Sequence, residues 1–346
     1  MKRPLHPEIA AFPPALTDKL CVIIPTYNNA GSVATVALKA LEYIPAVIVV
    51  DDGSTDETGA IADAYAEAHP DCIEVVHQPN GGHGEGINSG LARAKGLYFK
   101  VIDSDDWADL NALHQVVDTL LALEQDGGVD LMICNYVYEQ LETGYQKVMR
   151  FANALPKDRV ITWADTKGFH ITQQLSLHSC IYRTEIIRKS GLHLPRKVFY
   201  EDNLFVYTPL PYVKTLYYLD ADFYRYYVGR EGQSMAQVGK RSGDQRLVST
   251  RIFAAHDIDE IRKRDKKLAK YLHHSMSFML IVAVLFTRIG HGKEGDKLVK
   301  EFWDGLIEIN PKKAKKMRVF SRAGVLILSM PGPIGRWLCR FFFWFS

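Results

Sequence analysis

The sequence predicts an α/β fold with a mostly parallel sheet, followed by an α-helical C-terminal region. Continuous apolar runs, typical of strands buried on both faces, alternate with helical segments of about 12 residues. Polar or acidic residues follow these runs, which places them at the carboxyl edge of the sheet, where open α/β folds bind ligands. From about Asp244 onward the apolar periodicity is that of helices.

The first part of the chain contains four predicted strands, Leu20–Pro25, Ala46–Val50, Ile73–Val76 and Leu97–Ile102. Helices are predicted between them: one that carries Val33, Val36, Ala37, Ala40 and Leu41 at helical spacing, one over Glu57–His69, and one that ends at Lys95. Because βαβ crossovers are right-handed, we expect the four strands to be parallel and to end on one edge of the sheet.

The second part of the chain alternates less regularly. The predicted elements are a helix over Asn111–Glu124, a strand over Val129–Tyr138, a β excursion and loop over 145–165, a short helix Thr184–Ser190, a helix between Phe199 and Pro209, and a tyrosine-rich strand Tyr217–Val228. The C-terminal segments are a basic helix around Arg262–Lys270, the apolar run Phe278–Phe286, a helix near Lys297–Ile309 and the lysine cluster Lys312–Lys316.

Charge is distributed unevenly along the chain. The net charge is +2, but the segment from Arg251 to the end carries 19 Lys and Arg against 9 Asp and Glu, a balance of +10. The first 250 residues carry 23 against 31, a balance of −8. This asymmetry indicates that the C-terminal part faces something anionic, such as a membrane surface.

The expected compartment is the cytoplasm, or the inner face of the cell membrane. The N-terminus lacks the apolar core of a signal peptide, and no apolar run reaches the roughly 18 residues of a membrane span. The five cysteines are far apart and form no C-x-x-C pair, so we expect buried free thiols rather than a disulfide framework or a zinc site.

Several polar motifs converge on the predicted sheet edge. They are Thr26-Tyr27-Asn28, Asp51-Asp52, Asn80-Gly81-Gly82 and the acidic run Asp103-Ser104-Asp105-Asp106. Two carboxylates a residue apart, Asp103 and Asp105, suit Mg²⁺ or Mn²⁺ bound to phosphate oxygens. An acidic turn that caps the next helix is the alternative, and for this run alone it would be preferred. The convergence of four motifs favours a ligand site.

These motifs, with Ile24–Asn28, Val50–Asp56 and Tyr200-Glu201-Asp202-Asn203, occur in an order and spacing that resemble the family 2 glycosyltransferases of the GT-A fold, a Rossmann-like α/β fold. The resemblance covers roughly residues 20–235. It implies inverting transfer of a sugar, usually UDP-linked, to an acceptor hydroxyl with a divalent metal ion. The expected organisation is an irregular leader (1–18), a transferase domain (19–240) with a donor half (19–107) and an acceptor half (108–240), and a helical region (241–346).

Residue roles follow from this resemblance and from side-chain chemistry. Tyr27 offers a ring that can stack on a base, and the Asp52 carboxylate can accept the imide N–H of uracil. Asp105 would hold the metal ion, with Asp103 and Asp106 as alternatives, and Asp103 would also face the donor sugar or ribose. Further donor-binding residues are Pro25, Thr26, Asn28, Asn80, Gly82, Ser104 and Arg230. The catalytic base implied by the resemblance is Asp202, and the acceptor-side candidates are Glu201, His178 and Trp107.

Other interpretations stay open at this point. The string Gly84-x-Gly86-x-x-Ser89 lacks the third glycine of a dinucleotide-binding fingerprint. A polyprenyl-phosphate sugar transferase and a non-catalytic nucleotide-sugar-binding protein are the alternative functions. The expected partners are a nucleotide-sugar donor and a glycan or glycolipid acceptor, not nucleic acid. The basic C-terminal helices and the aromatic tail Trp337–Phe345 indicate either contact with an anionic membrane or a packed cap or oligomer contact.

Overall fold

Strands and helices alternate through the first part of the chain in the computed structural model, which describes residues 21–43, 46–103, 106–229, 241–320 and 332. The strands are β1 (Val22–Thr26), β2 (Val47–Asp51), β3 (Ile73–His77), β4 (Tyr98–Phe99), β5 (Trp107–Ala108), β6 (Leu131–Gln140), β7 (Tyr145–Met149), β8 (Val160–Ile161), β9 (Cys180–Arg183) and β10 (Leu216–Tyr227). The α-helices are α1 (Val33–Tyr43), α2 (Thr58–Ala68), α3 (His83–Arg93), α4 (Leu110–Glu124), α5 (Thr184–Lys189), α6 (Asp202–Tyr207), α7 (Ser242–Ala255), α8 (Ile258–Arg264), α9 (Lys266–Ile309) and α10 (Pro311–Phe320).

The chain divides into two units, residues 1–107 with 181–198 and residues 108–180 with 199–346. The first unit contains a parallel sheet in the order β1–β2–β3, as the βαβ pattern predicts. In this register Thr26 lies beside Asp51, and Asp51 lies beside His77. Its core is made of apolar side chains from the strands, α1 and α2, among them Ile24, Val33, Ala37, Leu41, Val47, Val49, Ala62 and Ile73. Polar residues at the ends of three neighbouring strands therefore share one edge.

The predicted fourth parallel strand, Leu97–Ile102, is wrong in length and direction. Only Tyr98 and Phe99 form a strand, and they pair antiparallel with Arg183 and Tyr182. The Leu97 side chain is 59% exposed, so the run is not buried throughout. An apolar run predicts burial, but both the extent of burial and the direction of pairing depend on which segment lies beside it.

The second unit contains the long strands β6 and β10, which pair in parallel with irregularities between Leu219 and Tyr224. Strand β7 pairs antiparallel with β6, and β8 pairs antiparallel with the start of β10, so the predicted β excursion over 145–165 is confirmed. The centre of β6 is fully buried. The Cys134 and Cys180 thiols are buried as expected, whereas Cys21 in the first unit is exposed.

Helices α7 to α10 form most of the described part of the chain from Ser242 to Phe320. The predicted basic helix around Arg262–Lys270 is wrong, because Asp265 has extended backbone angles (φ −144°, ψ 103°) and separates α8 from α9. The Asp265 carboxylate caps α9 by accepting the N–H groups of Lys267 (3.0 Å) and Leu268 (2.9 Å). The predicted segments Phe278–Phe286 and Lys297–Ile309 both belong to α9, which breaks at Gly292 (φ 53°, ψ −118°).

Helix α9 changes one expectation about membranes. Within the described part of the chain it alone is long and apolar enough to cross a bilayer, with a mean hydropathy of 1.5 over its most apolar 18 residues. Half of that window is buried inside the protein, and the core helix of a soluble protein satisfies the same criteria. The predicted leader 1–18 and the aromatic tail Trp337–Phe345 lie outside the described residues.

Candidate active site

Tyr27, predicted to stack on a base, follows β1 directly and is 49% exposed. The chain turns after it because Asn28 adopts a left-handed backbone conformation (φ 50°), which asparagine tolerates better than most residues. The Asn28 N–H donates to Ser54 Oγ (2.9 Å), and Asn28 Oδ1 accepts the Thr55 N–H (2.8 Å). The loops after β1 and β2 therefore fix each other, and the side-chain oxygen of Asn28 is used within the protein.

The two residues before Tyr27 close strand β1. Pro25 is half-buried, and Thr26 is buried. The Thr26 hydroxyl has no hydrogen-bond partner among the residues that the structure describes. Since buried polar groups are rarely left unpaired, a ligand atom or a water is expected to meet this hydroxyl. The donor-binding role of Thr26 stays a prediction.

Asp52, predicted to select the base, is buried and holds the glycine loop. One carboxylate oxygen accepts the Gly81 N–H (2.9 Å) and the Gln78 side-chain amide (2.7 Å), and the other accepts the Gly82 N–H (2.8 Å). Hydrogen bonds to a charged acceptor are stronger than neutral ones. Because a carboxylate offers about four lone pairs, Asp52 retains capacity for one further donor.

Glycine is required at two positions of this edge. Gly53 (φ 72°) follows Asp52, and a Cβ there would lie 2.6 Å from the Asn80 nitrogen. Gly82 (φ 79°) precedes α3, and a Cβ there would lie 3.2 Å from the backbone of Lys197. The loop after β2 thus packs directly against Asn80, with no space for a side chain at Gly53, and the positive φ of both residues favours glycine.

Asp51 belongs to a three-residue cluster at the same edge. His77 Nδ1 lies 3.0 Å from Asp51 Oδ2, and His77 Nε2 lies 2.9 Å from Asp63 Oδ1. Hydrogen bonds that His77 donates to the Asp63 and Asp51 carboxylates raise the pKa of His77. Burial acts to raise the pKa of Asp51, but hydrogen bonds from Ser54 and His77 outweigh burial and lower it. The Asp51 carboxylate is therefore engaged in hydrogen bonds with Ser54 in the turn and with His77.

The acidic run is described at its two ends, Asp103 and Asp106, whereas Ser104 and Asp105 lie outside the described residues. The Asp106 N–H donates to the Asp103 carbonyl oxygen (3.0 Å), which closes a turn. Each of the two residues offers a carboxylate oxygen, and these oxygens lie within 4.8 Å of each other. Asp103 Oδ1 also contacts His83 Nε2 (2.9 Å), at the start of α3. Two hard oxygen ligands at this separation fit one divalent cation.

Asp202, the predicted base, lies in the second unit at the start of α6. The preceding Tyr200 has a left-handed backbone conformation (φ 68°), which is uncommon for a bulky residue and is found most often at functional sites. Asn203 Nδ2 donates both to Asp202 Oδ1 (3.0 Å) and to the Tyr200 carbonyl oxygen (3.0 Å). Burial, together with the Asp244 carboxylate, raises the pKa of Tyr200. Asp202 is half-buried, whereas Glu201 beside it is buried.

The other acceptor-side candidates have different surroundings. His178, also in the second unit, stacks on Tyr226 (ring centroids 4.5 Å apart, 25° between the planes) and lies 4.6 Å from the Tyr224 ring. Trp107, in the first unit, is 39% exposed. Arg230 lies outside the described residues. The roles of these residues stay predictions.

Sequence reasoning did not identify two residues of the first-unit edge, His77 and Gln78. Both lie at the carboxyl end of β3. The position at the end of a predicted strand, which selected Asp51 and Asp52 as candidates, applies to them as well. The contact between His83 and Asp103 joins residues 20 positions apart and carries no local signal.

Comparisons with known proteins agree with this architecture. A family model described as glycosyl transferase family 2 matches residues 21–189. An uncharacterised glycosyltransferase of Mycoplasma pneumoniae, the MG025 homolog, is 31% identical over 223 residues, which cover 62% of this chain and 69% of that relative. The matched regions of three other curated relatives cover only 62%, 40% and 51% of their lengths, so this chain spans about half of those proteins.

Solved structures show the same fold. The structure of S. aureus TarS 1–349 in complex with UDP-GlcNAc has a TM-score of 0.55 at 22% identity, over 87% of this chain and 91% of that chain. The mannosyltransferase PcManGT from Pyrobaculum calidifontis, in complex with GDP-Man and Mn²⁺, has a TM-score of 0.50 at 18% identity, over 95% and 90%. The fold is therefore that of the GT-A glycosyltransferases, mixed α/β with a parallel sheet and a helical C-terminal region. The chain belongs to glycosyltransferase family 2.

Proposed function

We propose that this glycosyltransferase moves a single sugar from a nucleotide-sugar, most simply a UDP-sugar, to an acceptor hydroxyl with inversion at the anomeric carbon. The observation that carries the proposal is the set of loops in the first unit. These loops present an exposed ring at Tyr27, a glycine loop fixed by Asp52, and the carboxylates of Asp103 and Asp106. A base, a sugar diphosphate and a divalent cation require these kinds of groups.

On the donor side, Tyr27 would stack on the base and Asp52 would accept its imide N–H with the capacity left beside the glycine loop. The Gly81 and Gly82 N–H groups already donate to Asp52, so they are not the phosphate donors. The loop would instead act through its shape, since glycine lets a ligand approach the backbone. Pro25, Thr26, Asn28, Asn80, Ser104 and Arg230 would complete the donor contacts.

The residues proposed to hold Mg²⁺ or Mn²⁺ are Asp105, with Asp103 and Asp106 beside it. The separation of the Asp103 and Asp106 oxygens supports this assignment. A bound divalent ion neutralises the diphosphate and stabilises it as a leaving group. His83 would fix the orientation of Asp103 through its 2.9 Å contact.

Asp202 would act as the general base. As the acceptor oxygen bonds to the anomeric carbon, the bond from that carbon to the donor phosphate oxygen breaks, and the hydroxyl proton moves to the Asp202 carboxylate. The Asn203 amide restrains Asp202 Oδ1, which favours a fixed orientation of the carboxylate. Glu201, His178 and Trp107 would serve the acceptor side.

The acceptor that we propose is a growing cell-surface glycan or a glycolipid, reached from the cytoplasm at the inner face of the membrane. The excess of basic residues after Arg251 supports contact with an anionic surface. A polyprenyl-phosphate sugar transferase would use the same donor loops but another acceptor. A non-catalytic binding protein would bind the donor without consuming it.

The test is a screen of UDP- and GDP-sugars for binding with and without Mn²⁺, followed by measurement of sugar release. UDP-GlcNAc and GDP-mannose are the first candidates, because they accompany the TarS and PcManGT structures. We expect one nucleotide-sugar to bind in a Mn²⁺-dependent manner and to be hydrolysed slowly without an acceptor. Binding without turnover toward any acceptor would favour the non-catalytic alternative, and no binding of any nucleotide-sugar would refute the proposal.

A further inference from the structure

A groove lies between the end of α9 and the start of α10, in the second unit. It has a volume of about 280 Å³ and is lined by Trp303, Ile307, Pro311, Ala314, Lys315 and Arg318. Its floor is apolar, and its rim carries two cations. Pockets for whole small molecules usually measure 300–1,000 Å³, so this groove suits one part of a larger amphiphile.

The floor of the groove contains a buried hydrogen-bond donor that is not satisfied. Trp303 is 4% exposed, and among the described residues nothing accepts its indole N–H. Buried tryptophan N–H groups usually have a partner, because leaving one unpaired costs free energy. Because this nitrogen is itself buried, Trp303 contributes the apolar surface of its ring to the groove.

The charges around the groove define the ligand further. Helix α10 uses two lysines to attach itself to the protein: Lys313 Nζ donates to the His256 carbonyl oxygen (2.8 Å), and Lys316 pairs with Asp259 (2.7 Å). Burial lowers the pKa of Lys313 to about 8. Lys315 and Arg318 are exposed instead and have no carboxylate partner among the described residues.

Lys312, Lys315 and Arg318 form one basic face of α10, because residues three apart on a helix are neighbours on its surface. The face therefore carries Lys312, Lys315 and Arg318 in a row beside the groove. Apolar side chains are exposed near it, with Ile307 at 41% and Ile309 at 47%. A row of cations without a carboxylate partner among the described residues, next to exposed isoleucines, is typical of a surface that lies in the interface of a membrane.

We propose that this groove binds the phosphate headgroup and first methylene groups of an anionic phospholipid. The phosphate would be held by Lys315 and Arg318, and the side chains of Trp303, Ile307 and Pro311 would contact the chain. The inference rests on the membrane contact proposed above, to which it gives a site, and it does not depend on the transfer chemistry.

The test compares binding of the full chain to vesicles of phosphatidylcholine with and without phosphatidylglycerol. The variant Lys315→Gln/Arg318→Gln removes the two cations at the rim. Each basic residue near an anionic surface contributes about fivefold to binding, so we expect the double variant to bind phosphatidylglycerol vesicles about thirtyfold more weakly. The variant Ile307→Gln, which replaces an exposed apolar side chain of the groove by a polar one, should weaken binding by a smaller factor.

Lys147→Gln/Lys214→Gln is the matched control, because both lysines are exposed, lie outside the C-terminal helices and carry the same total charge. The proposal is overturned if the control weakens binding as much as the groove variant, or if the groove variant binds as tightly as the unchanged chain. It is also overturned if deletion of residues 321–346 abolishes binding while the groove variant has no effect, since the tail would then be the membrane element. Donor binding, measured in the same samples, should be unchanged, which separates this test from that of the transfer reaction.

Discussion

Replacement of Asp52 by alanine tests the central contact between the loops at the carboxyl edge of the first-unit sheet. In the structure this buried carboxylate accepts the N–H groups of Gly81 (2.9 Å) and Gly82 (2.8 Å) and the Gln78 amide (2.7 Å). The Gln78 side chain can turn toward another partner, but the two backbone N–H groups cannot. A buried donor left unpaired costs about 1–3 kcal/mol, so for two such donors we expect Asp52→Ala to lower the free energy of unfolding by about 2–6 kcal/mol. That is a large fraction of the 5–15 kcal/mol typical of a folded domain.

The measurements are urea unfolding and hydrogen exchange at the two glycine amides. In Asp52→Ala we expect the Gly81 and Gly82 amides to exchange about a hundredfold faster, because the loop opens more often. Asp52→Asn should have an intermediate effect, since its amide oxygen can still accept while its NH₂ group cannot. Asp71→Ala is the matched control, because Asp71 is exposed, and its loss should change stability by less than about 0.5 kcal/mol.

An Asp52→Ala protein that unfolds like the unchanged chain, with normal exchange at both glycines, would refute the argument. In that case the glycine loop is held by other contacts, and Asp52 is available to the ligand alone. If stability falls and nucleotide binding falls equally in every nucleotide tested, Asp52 shapes the loop without selecting the base. A loss confined to uridine nucleotides would support its proposed contact with the imide N–H.

Four further predictions concern single side chains. Tyr27→Ala should weaken nucleotide binding about 5- to 150-fold, as loss of base stacking does, when measured by calorimetry; unchanged affinity would remove Tyr27 from the base site. Asp202→Asn should abolish sugar transfer and leave nucleotide affinity near normal, and a variant with normal turnover would exclude Asp202 as the base. Asp105→Ala should make nucleotide affinity insensitive to Mn²⁺, whereas retained Mn²⁺ dependence would place the metal ion elsewhere. His77 has a raised pKa in the folded protein, so its contribution to stability should be complete below its ordinary pKa of 6.5 and be lost as pH rises through the folded value. His77→Gln should therefore reduce the stability difference between pH 5.5 and pH 9 in urea titrations, and an unchanged difference would contradict the role of the Asp51–His77–Asp63 contacts.

Local patterns in the sequence predicted those elements whose side chains face a core. Strands β1 to β3 and the helices between them follow from apolar periodicity, and their parallel order follows from the handedness of crossovers. The segment 97–102 was mispredicted because the pairing direction of Tyr98–Phe99 is decided by the segment around Tyr182, more than 80 positions away. The sequence did not predict the break at Asp265, because a helix-capping aspartate in a highly charged stretch carries no pattern that distinguishes it from the other charged residues.

The candidate site was predictable as a list of residues but not as a set of contacts. Tyr27, Asp52 and Asp103 stand out because each follows a strand-like run. That the Asp52 carboxylate faces the glycine loop, and that Asp103 faces His83, depends on how distant loops fold together. Spacing alone carries no information about such contacts.

The hydrogen bonds between Asn28 and Ser54-Thr55 have a consequence for how this enzyme can change. Asn28 adopts its left-handed turn with partners 26 and 27 positions away, so each loop depends on the other for part of its hydrogen bonding. A single exchange at either position should therefore harm folding, while a simultaneous exchange of both loops from one relative should be tolerated. A change of donor preference would then require both loops to change together. Engineering of a new donor specificity would have to transplant both loops.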